Sequence, residues 1–532
     1  MRLRSLLVFA AAMASASLAA PQADLADPAL LALARQETPA VLDTLRTLTS
    51  FDSGTGQAAG LGAVADHVER MARAMGGDVQ RVAPAGGTAG TNLVITFRGT
   101  GRRKLMLMAH MDTVYPAGTA AARPFRIEGN RAIAPGIADD KGGIAVFLHA
   151  VRLLKATGFG DYERITLVFN TDEERGSAGS RDLIRRQASE HDAVLSGEPT
   201  SPDEVLIVAT SGAGGFSARV DAGGPFASAG GRPVEEAADL VLRTRDLAQQ
   251  VPQTRMSWTV MRLNDPQGGT LRQLPAGPWQ FATIQWTVRG KASHAGVSPE
   301  LGVNAVVEVA SLVRRAGEAA ATLPGVRLHW RTATGGQVGN VIPDRGTAVL
   351  DVAVPAGEDL AGVTEKLARA GEQAQLRGAT VTSAVAQGPA PVSGSAEGSL
   401  WADVRVPGPE AFAALDRLVR ERAGARKFPS SSVTVRGGIG FPAFNATAEG
   451  LQLAQLAVDV DRQLGGRLSI APRIHGATDA AWAGQSGRPV LESLGLPGGN
   501  YHASDEEFIL VDRIPRRLAL VAAMLRAMAR MP

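Results

Sequence analysis

A chain of 532 residues with 45% apolar side chains is too long for one ordinary core and too apolar to stay disordered, so two or more folded domains are expected. The absence of cysteine excludes disulfides and thiolate chemistry, and it leaves any metal to histidine and carboxylate ligands. A formal charge of +3, with both signs interspersed and no basic run carrying aromatics, argues against a nucleic-acid groove and leaves small molecules as the expected partners.

The first element is a leader: a basic start at Arg2 and Arg4, an apolar stretch from Leu6 to Met13, and small residues up to Ala19. That pattern reads as a secretory signal peptide over residues 1–19. No later segment reaches the ~20 uninterrupted apolar residues of a membrane span, so the mature chain is expected in the periplasm or secreted, free of the bilayer. A helix is expected over Pro28–Thr49, followed by the βαβ rhythm of an α/β domain. Four apolar runs end at polar residues. Lys104–Ala109 stops at His110, Arg164–Phe169 stops before Asp172-Glu-Glu174, Asp192–Ser196 stops before Glu198, and Arg488–Leu494 leads into a glycine-rich loop holding His502. In open α/β sheets ligands bind beyond the carboxyl ends of the strands, so these four ends are expected to converge on one crevice.

Between about 210 and 438 the texture changes to alternating strands, each followed by an amphipathic helix, which reads as an inserted α+β domain. It carries internal repetition. Gly224–Pro233 aligns with Gly290–Pro299, Arg255–Trp258 with Arg327–Trp330, Asp351–Pro355 with Asp403–Pro407, and Val381-Thr382 with Val433-Thr434. The order is first half, first half, second half, second half. One β-α-β-β-α-β unit nested inside another accounts for it, with an outer copy at 214–263 and 398–437 and an inner copy at 279–386. The flanking parts, 20–209 and 439–532, then form one catalytic domain.

Taken singly, a His-x-Asp or a Glu-Glu is an ordinary surface pair. The strand-end placement amid glycine turns is what singles out His110, Asp112, Asp139, Glu173, Glu174, Glu198 and His502. In order and spelling, "HMDTVYP", "PGIADDKGG", "TDEERGS", "SGEPTS", "GKASHAGVSPELGVNA", "GNVIP", "ADVRVP", "GATDAAWAG" and "ESLGLPG" resemble the dinuclear zinc amidohydrolases. That family includes glutamate carboxypeptidases, succinyl-diaminopimelate desuccinylases, acetylornithine deacetylases and aminoacylases, and the glutamate carboxypeptidase branch is the nearest. The resemblance covers nearly the whole mature chain.

It implies a central mixed sheet flanked by helices, with the inserted domain as a lid. It implies two Zn2+, with Co2+ or Mn2+ also compatible with such ligands. His110 and Glu198 would hold one ion, Glu174 and His502 the other, and Asp139 would bridge them. Asp112 would orient His110, and Glu173 would be the general base. Asp140 competes with Asp139 for the bridge, but the family spelling places the ligand directly after "IA". His67, His149 and His191 are expected to be structural or solvated, Lys141 a charge partner, and Asp505–Glu507 a solvated face or a support behind the ligands. Asp479 lies in a family-like loop without an assigned role.

In the family the lid usually dimerises, and its histidine, here His294, reaches the partner's site. Asn340 would act with it, and Arg405 would grip the substrate carboxylate. The outer copy has Ser228 at the histidine position but keeps Arg405; the inner copy keeps His294 and Asn340 but has Ala353 where the arginine belongs. Complementary loss is expected if the inner copy stands in for a partner's lid, which predicts a monomer with a pseudo-dimeric lid and His294 acting in its own chain. The expected activity is release of a C-terminal amino acid from a small peptide or N-acyl amino acid. The alternatives are an aminoacylase, deacetylase or dipeptidase, and a secreted binding protein with a silent site.

Overall fold

In a computed structural model, which describes residues 27–221, 232–266, 271, 274–389, 397–502 and 506–531, the apolar run Lys104–His110 lies in the middle of a six-stranded sheet. It pairs in parallel with Arg164–Asn170 on one side and Ala193–Ser196 on the other, and Val490–Leu491 extends the parallel set. Asn92–Arg98 and Asp78–Val82 complete the opposite edge in antiparallel pairing, so the sheet is mixed. The four runs read from the sequence are therefore four adjacent parallel strands. Their carboxyl ends share one edge, because parallel pairing aligns strand direction.

Both faces of this sheet are covered, which is why its strands are continuous apolar runs and not alternating ones. On one face lies Lys141–Ala156, apolar on nearly every side, with Pro28–Thr49 and Ile514–Ala529 packed against it and against each other. The first of these helices starts where expected, with Asp27 capping Ala29 N–H at 2.8 Å and Pro28 in its first turn. On the other face the short helices Arg181–Ser189 and Ala480–Gly484 pack through Leu183, Ile184 and Trp482. Each fully buried leucine or isoleucine contributes roughly 1.5–3 kcal/mol.

The second sheet has eight antiparallel strands, all drawn from residues 212–441. Their order is Thr380–Gln387, Trp279–Arg289, Arg345–Pro355, Arg327–Gly335, Arg255–Asn264, Glu397–Val406, Gly212–Asp221, Ser432–Phe441. The first four belong to the inner stretch and follow one chain course; the last four belong to the outer stretch and follow the same course in mirrored order. The two units meet where Met261–Asn264 pairs with Thr332–Gly335, and the helices Pro233–Thr244 and Ala305–Ala321 pack across the same junction.

The register makes the correspondence specific. Ala402 faces Phe216 and Trp258; at the matching place in the inner unit Leu350 faces Ile284 and Trp330. Each of these tryptophans is followed by a register shift, between Trp258 and Val260 and between Trp330 and Thr332. The Trp258–Trp330 match has the spacing read from the sequence. The first strands differ: the Gly224–Gly290 alignment would place Ala282 opposite Leu350, whereas the pairing places Ile284 there. The echo segment with Ser228 falls in 222–231, and the leader in 1–26; both lie outside the described residues.

The chain passes between the two sheets twice, and the two passages are stitched together where Ala209-Thr210 pairs with Phe444-Asn445. No helix among the described residues is long and apolar enough to cross a membrane. Trp258 is fully buried and donates its Nε1–H to Thr244 Oγ1 at 2.9 Å. Trp258→Ala is expected to destabilise the protein by about 3–5 kcal/mol, seen as a lower denaturant midpoint at unchanged m-value.

Candidate metal centre

The strand ends bring their polar residues to one place. His110 is the last residue of its strand, and its Nε2 lies 3.0 Å from Asp139 Oδ1 and 3.6 Å from Glu198 Oε1. From the far end of the chain, His502 Nε2 lies 3.0 Å from Asp139 Oδ2 and 3.1 Å from Glu174 Oε2. One carboxylate thus faces two imidazoles, one through each oxygen, and each imidazole is flanked by a further carboxylate. Ligand atoms of His110, Asp139 and Glu174 lie within 4.8 Å of one another, as do those of His110, Glu173 and Glu198.

Asp112 sits behind this ring, fully buried. His110 Nδ1 lies 3.0 Å from the Asp112 backbone carbonyl and 3.3 Å from Asp112 Oδ1, and the Asp112 carboxylate accepts the backbone N–H groups of Glu173 at 3.1 Å and Glu174 at 3.2 Å, and the hydroxyl of Thr55 at 2.7 Å. It therefore ties His110 to the turn that carries both glutamates. Asp140 turns away from the ring: Oδ1 accepts Gly143 N–H at 3.1 Å as the cap of the Lys141–Ala156 helix, and Oδ2 accepts His110 N–H at 3.3 Å. That leaves Asp139 as the member of the pair facing the imidazoles.

Several supports had no decisive signal in the sequence. Glu507 is buried, not part of a solvated face: it accepts N–H from Gly136, Ala138 and Asp139 and the hydroxyl of Tyr115. Its neighbour Glu506 is exposed and pairs with Arg126. Asp479 accepts from Asn170 Nδ2 at 2.7 Å and from the Ser177 hydroxyl, anchoring the strand end before the two glutamates. Lys141 is buried and donates to Phe51 O at 3.2 Å; burial lowers its amine to about 8 although Glu507 and Asp52 pull it up. His149, bonded to Glu37 and Thr44, and His191, bonded to Gln187 and Thr166, are structural. His67 is half-buried and outside the site.

The electrostatics are those of crowded acids. Burial pushes Glu173 well above its ordinary value, and Asp479, Glu174 and Asp139 push the same way against the pull of His110. Glu198 is likewise raised by burial, then by Asp139 and Glu173. Burial would raise Asp139 too, but the hydrogen bonds from His110 and His502 outweigh it and hold the carboxyl below its ordinary range. Burial would lower both imidazoles; their carboxylate neighbours win and hold each well above the usual histidine value.

The donor set fits divalent cations: two imidazoles and four inward carboxylates, all oxygen and nitrogen, carry more negative than positive charge. Glu174 Oε1 is buried and has no hydrogen-bond partner among the described residues, as expected of an atom whose partner is an ion.

The eight-stranded sheet closes over this crevice within the same chain. The His294 ring lies with its centroid 5.0 Å from that of His502. Its Nδ1 accepts N–H from Gly296 at 3.0 Å and Val297 at 3.1 Å, so the neutral ring carries its proton on Nε2. Burial, then His502 and Arg405, hold this imidazole well below its ordinary value, which keeps it neutral. Asn340 lies beside it, its carbonyl accepting Ala295 N–H at 2.8 Å. Arg405 comes from the outer unit; its Nε and Nη2 are each 2.9 Å from an Asp403 oxygen. The His294 loop rests directly on this guanidinium: a Cβ at Gly296 would lie 2.5 Å from Arg405 Nε, and the arginine cannot retreat without breaking its two bonds to Asp403.

Residues 106–527 match the model of peptidase family M20/M25/M40. The chain is similar to carboxypeptidase G2 of Pseudomonas sp. (strain RS-16), at 36% identity over 500 residues covering 94% of this chain and 92% of that protein. Over a shorter span of 123 residues, 23% of this chain and 32% of that protein, it is 32% identical to acetylornithine deacetylase of Salmonella arizonae. Among solved structures, the M20 family metallo-carboxypeptidase Sso-CP2 of Sulfolobus solfataricus has a TM-score of 0.52 at 14% identity, covering 93% of this chain and 100% of that one. The di-peptidase Dug1p of Saccharomyces cerevisiae has a TM-score of 0.53 at 12% identity, covering 94% and 98%. At these identities the structural likeness is one of fold.

Proposed function

The chain belongs to peptidase family M20/M25/M40 and is a hydrolase of amide bonds, and on that footing we propose that it is an exported zinc carboxypeptidase with a lid that completes the site from its own chain. The substrate is a small peptide or N-acyl amino acid, and the C-terminal residue released is glutamate. The observation that carries this reading is the carboxylate of Asp139 shared between His110 and His502, with Glu198 and Glu174 beyond them.

In this reading His110 and Glu198 would hold one ion and His502 and Glu174 the other, with Asp139 available to both. Zinc, when bound, supplies Lewis acidity that polarises the scissile carbonyl and acidifies the attacking water. Glu173 accepts the proton of that water on its carboxylate and passes it to the departing amine nitrogen. Asp112 keeps His110 oriented through Nδ1, so that Nε2 faces inward. His294 presents its Nε2–H to the carbonyl oxygen as charge develops there, with Asn340 beside it. Arg405 receives the substrate's terminal carboxylate, and its Nε edge stays on Asp403. Closure of the lid over the crevice excludes water and brings these last three groups to the substrate.

The residues 210–438 act as a lid made of two copies of one unit, the inner copy taking the place that a second subunit's lid holds in dimeric relatives. The active species is then a monomer. Residues 1–19 serve as the export signal.

The decisive assay is release of amino acids from a panel of C-terminally varied peptides and N-acyl amino acids, with and without chelator. Chelator-sensitive release with glutamate preferred is expected. Release insensitive to chelator would sink the metal mechanism, and no release from a metal-loaded protein would favour a binding role. Glu173→Gln is expected to lower kcat by at least about 10²-fold with metal content near that of wild type, measured by elemental analysis; a collapse in metal content would instead make Glu173 a ligand. Mixing Glu173→Gln with His294→Ala protein is expected to restore no activity, because each chain keeps its own defect; recovery on mixing would show that His294 serves another subunit, and a sedimentation coefficient that rises with concentration would count against the monomer.

A further inference from the structure

Glu507 stands out among the buried groups that the proposed reaction does not use. Both of its oxygens are fully engaged: Oε1 accepts Ala138 N–H at 2.9 Å and Asp139 N–H at 3.0 Å, and Oε2 accepts Gly136 N–H at 2.9 Å and the Tyr115 hydroxyl at 2.8 Å. Its own carbonyl accepts Ala134 N–H at 3.2 Å. Four donors on one carboxylate fix its position in all directions, and an acceptor with no donor of its own is the group this nest requires.

What the four bonds join matters more than their number. Tyr115 closes the segment that begins with His110 and Asp112. Gly136, Ala138 and Asp139 are the backbone immediately under the shared carboxylate. Glu507 itself lies five residues after His502 and directly before the Phe508–Leu510 strand, which pairs with Arg131–Ile133. Three chain segments, each carrying a group of the candidate centre, are therefore tied at one side chain. The Gly136 turn leaves no slack: its φ is 68°, and a Cβ there would lie 2.5 Å from Thr113 Cγ2. The Asp139 backbone cannot shift toward either imidazole without breaking bonds to Oε1.

We propose that Glu507 is a positioning residue for the metal centre, a carboxylate that never touches the ions but sets the place of Asp139 relative to His110 and His502. This rests on the reading of Asp139 as the shared ligand. Groups behind metal ligands typically change metal affinity 10- to 100-fold when altered, roughly the range expected here.

The test is Glu507→Gln, which keeps length and shape but turns an NH2 group toward backbone N–H donors. Zn2+ affinity is read by competition with a chromophoric chelator, and the melting temperature is read on the metal-free protein. A loss in affinity of about 10- to 100-fold, with the metal-free melting temperature within about 3 °C of wild type, is the expected result. Wild-type affinity in the variant would overturn the proposal, and so would a large fall in metal-free melting temperature with affinity unchanged, which marks a purely structural role. Should Glu507→Gln not fold, Tyr115→Phe removes one of the four bonds: a several-fold weaker Zn2+ affinity at unchanged metal-free stability supports the proposal, and wild-type affinity overturns it. A wild-type protein that binds no divalent ion would sink the reading of Asp139 and this proposal together; two ions bound equally by wild type and variant would sink only the positioning role.

Discussion

Carboxylates crowded into a buried crevice are the constraint around which the rest of the molecule is arranged. Asp112, Asp139, Glu173, Glu174 and Glu198 converge on two imidazoles, and like charges about 4 Å apart repel by on the order of 4 kcal/mol at an effective dielectric of about 20. Side chains on a loose scaffold would swing apart. Here Asp139, Glu173 and Glu174, and His110 beside them, are held through their backbone N–H groups by carboxylates behind the ring. Asp112 receives the N–H groups of Glu173 and Glu174, Asp140 receives that of His110, and Glu507 receives that of Asp139. The strands behind them supply the rigid edge, because four parallel neighbours end together.

The same logic extends to the eight-stranded sheet. Its two units run one chain course in mirrored order, so the strands that meet at the centre are the matching second strands of each. That arrangement presents different groups from each unit to a single crevice: His294 and Asn340 from the inner, Arg405 from the outer. At the place in the inner unit that corresponds to Arg405 the chain has Ala353. The contact of Gly296 with the Arg405 guanidinium joins the two contributions, since the histidine loop lies on the arginine that the other unit supplies.

Much of this was legible because it follows from local rules. Lys104–His110 reads as a buried strand from its unbroken apolar run, and Pro28–Thr49 as a helix from its cap and period. Motif spelling favours Asp139 over Asp140, and the structure gives a physical reason in the helix cap that occupies Asp140. For Glu507 the sequence leaves two readings open, a solvated face or a support behind the ligands, and cannot choose between them. An acidic run after a glycine-rich loop looks solvated, and nothing local tells Glu506, paired at the surface with Arg126, from Glu507, buried under residues some 370 positions away. Asp479 likewise shows its use only once Asn170 and Ser177 are beside it. The first-strand register follows from the pairing alone, because a period-two strand keeps its buried face under an even shift and so the apolar pattern cannot distinguish alignments two residues apart.

The sequence by itself determined the α/β class, the family and the polar residues at the strand ends, since these depend on periodicity, spacing and motif order within short stretches. The tertiary structure alone decided which oxygen faces which imidazole, that Nδ1 of His294 is an acceptor, that the Nε edge of Arg405 is spent on Asp403, and that Glu507 lies beneath Asp139. Those are relations between segments separated by tens to hundreds of residues, and they are set by packing and hydrogen-bond geometry, which no local pattern encodes.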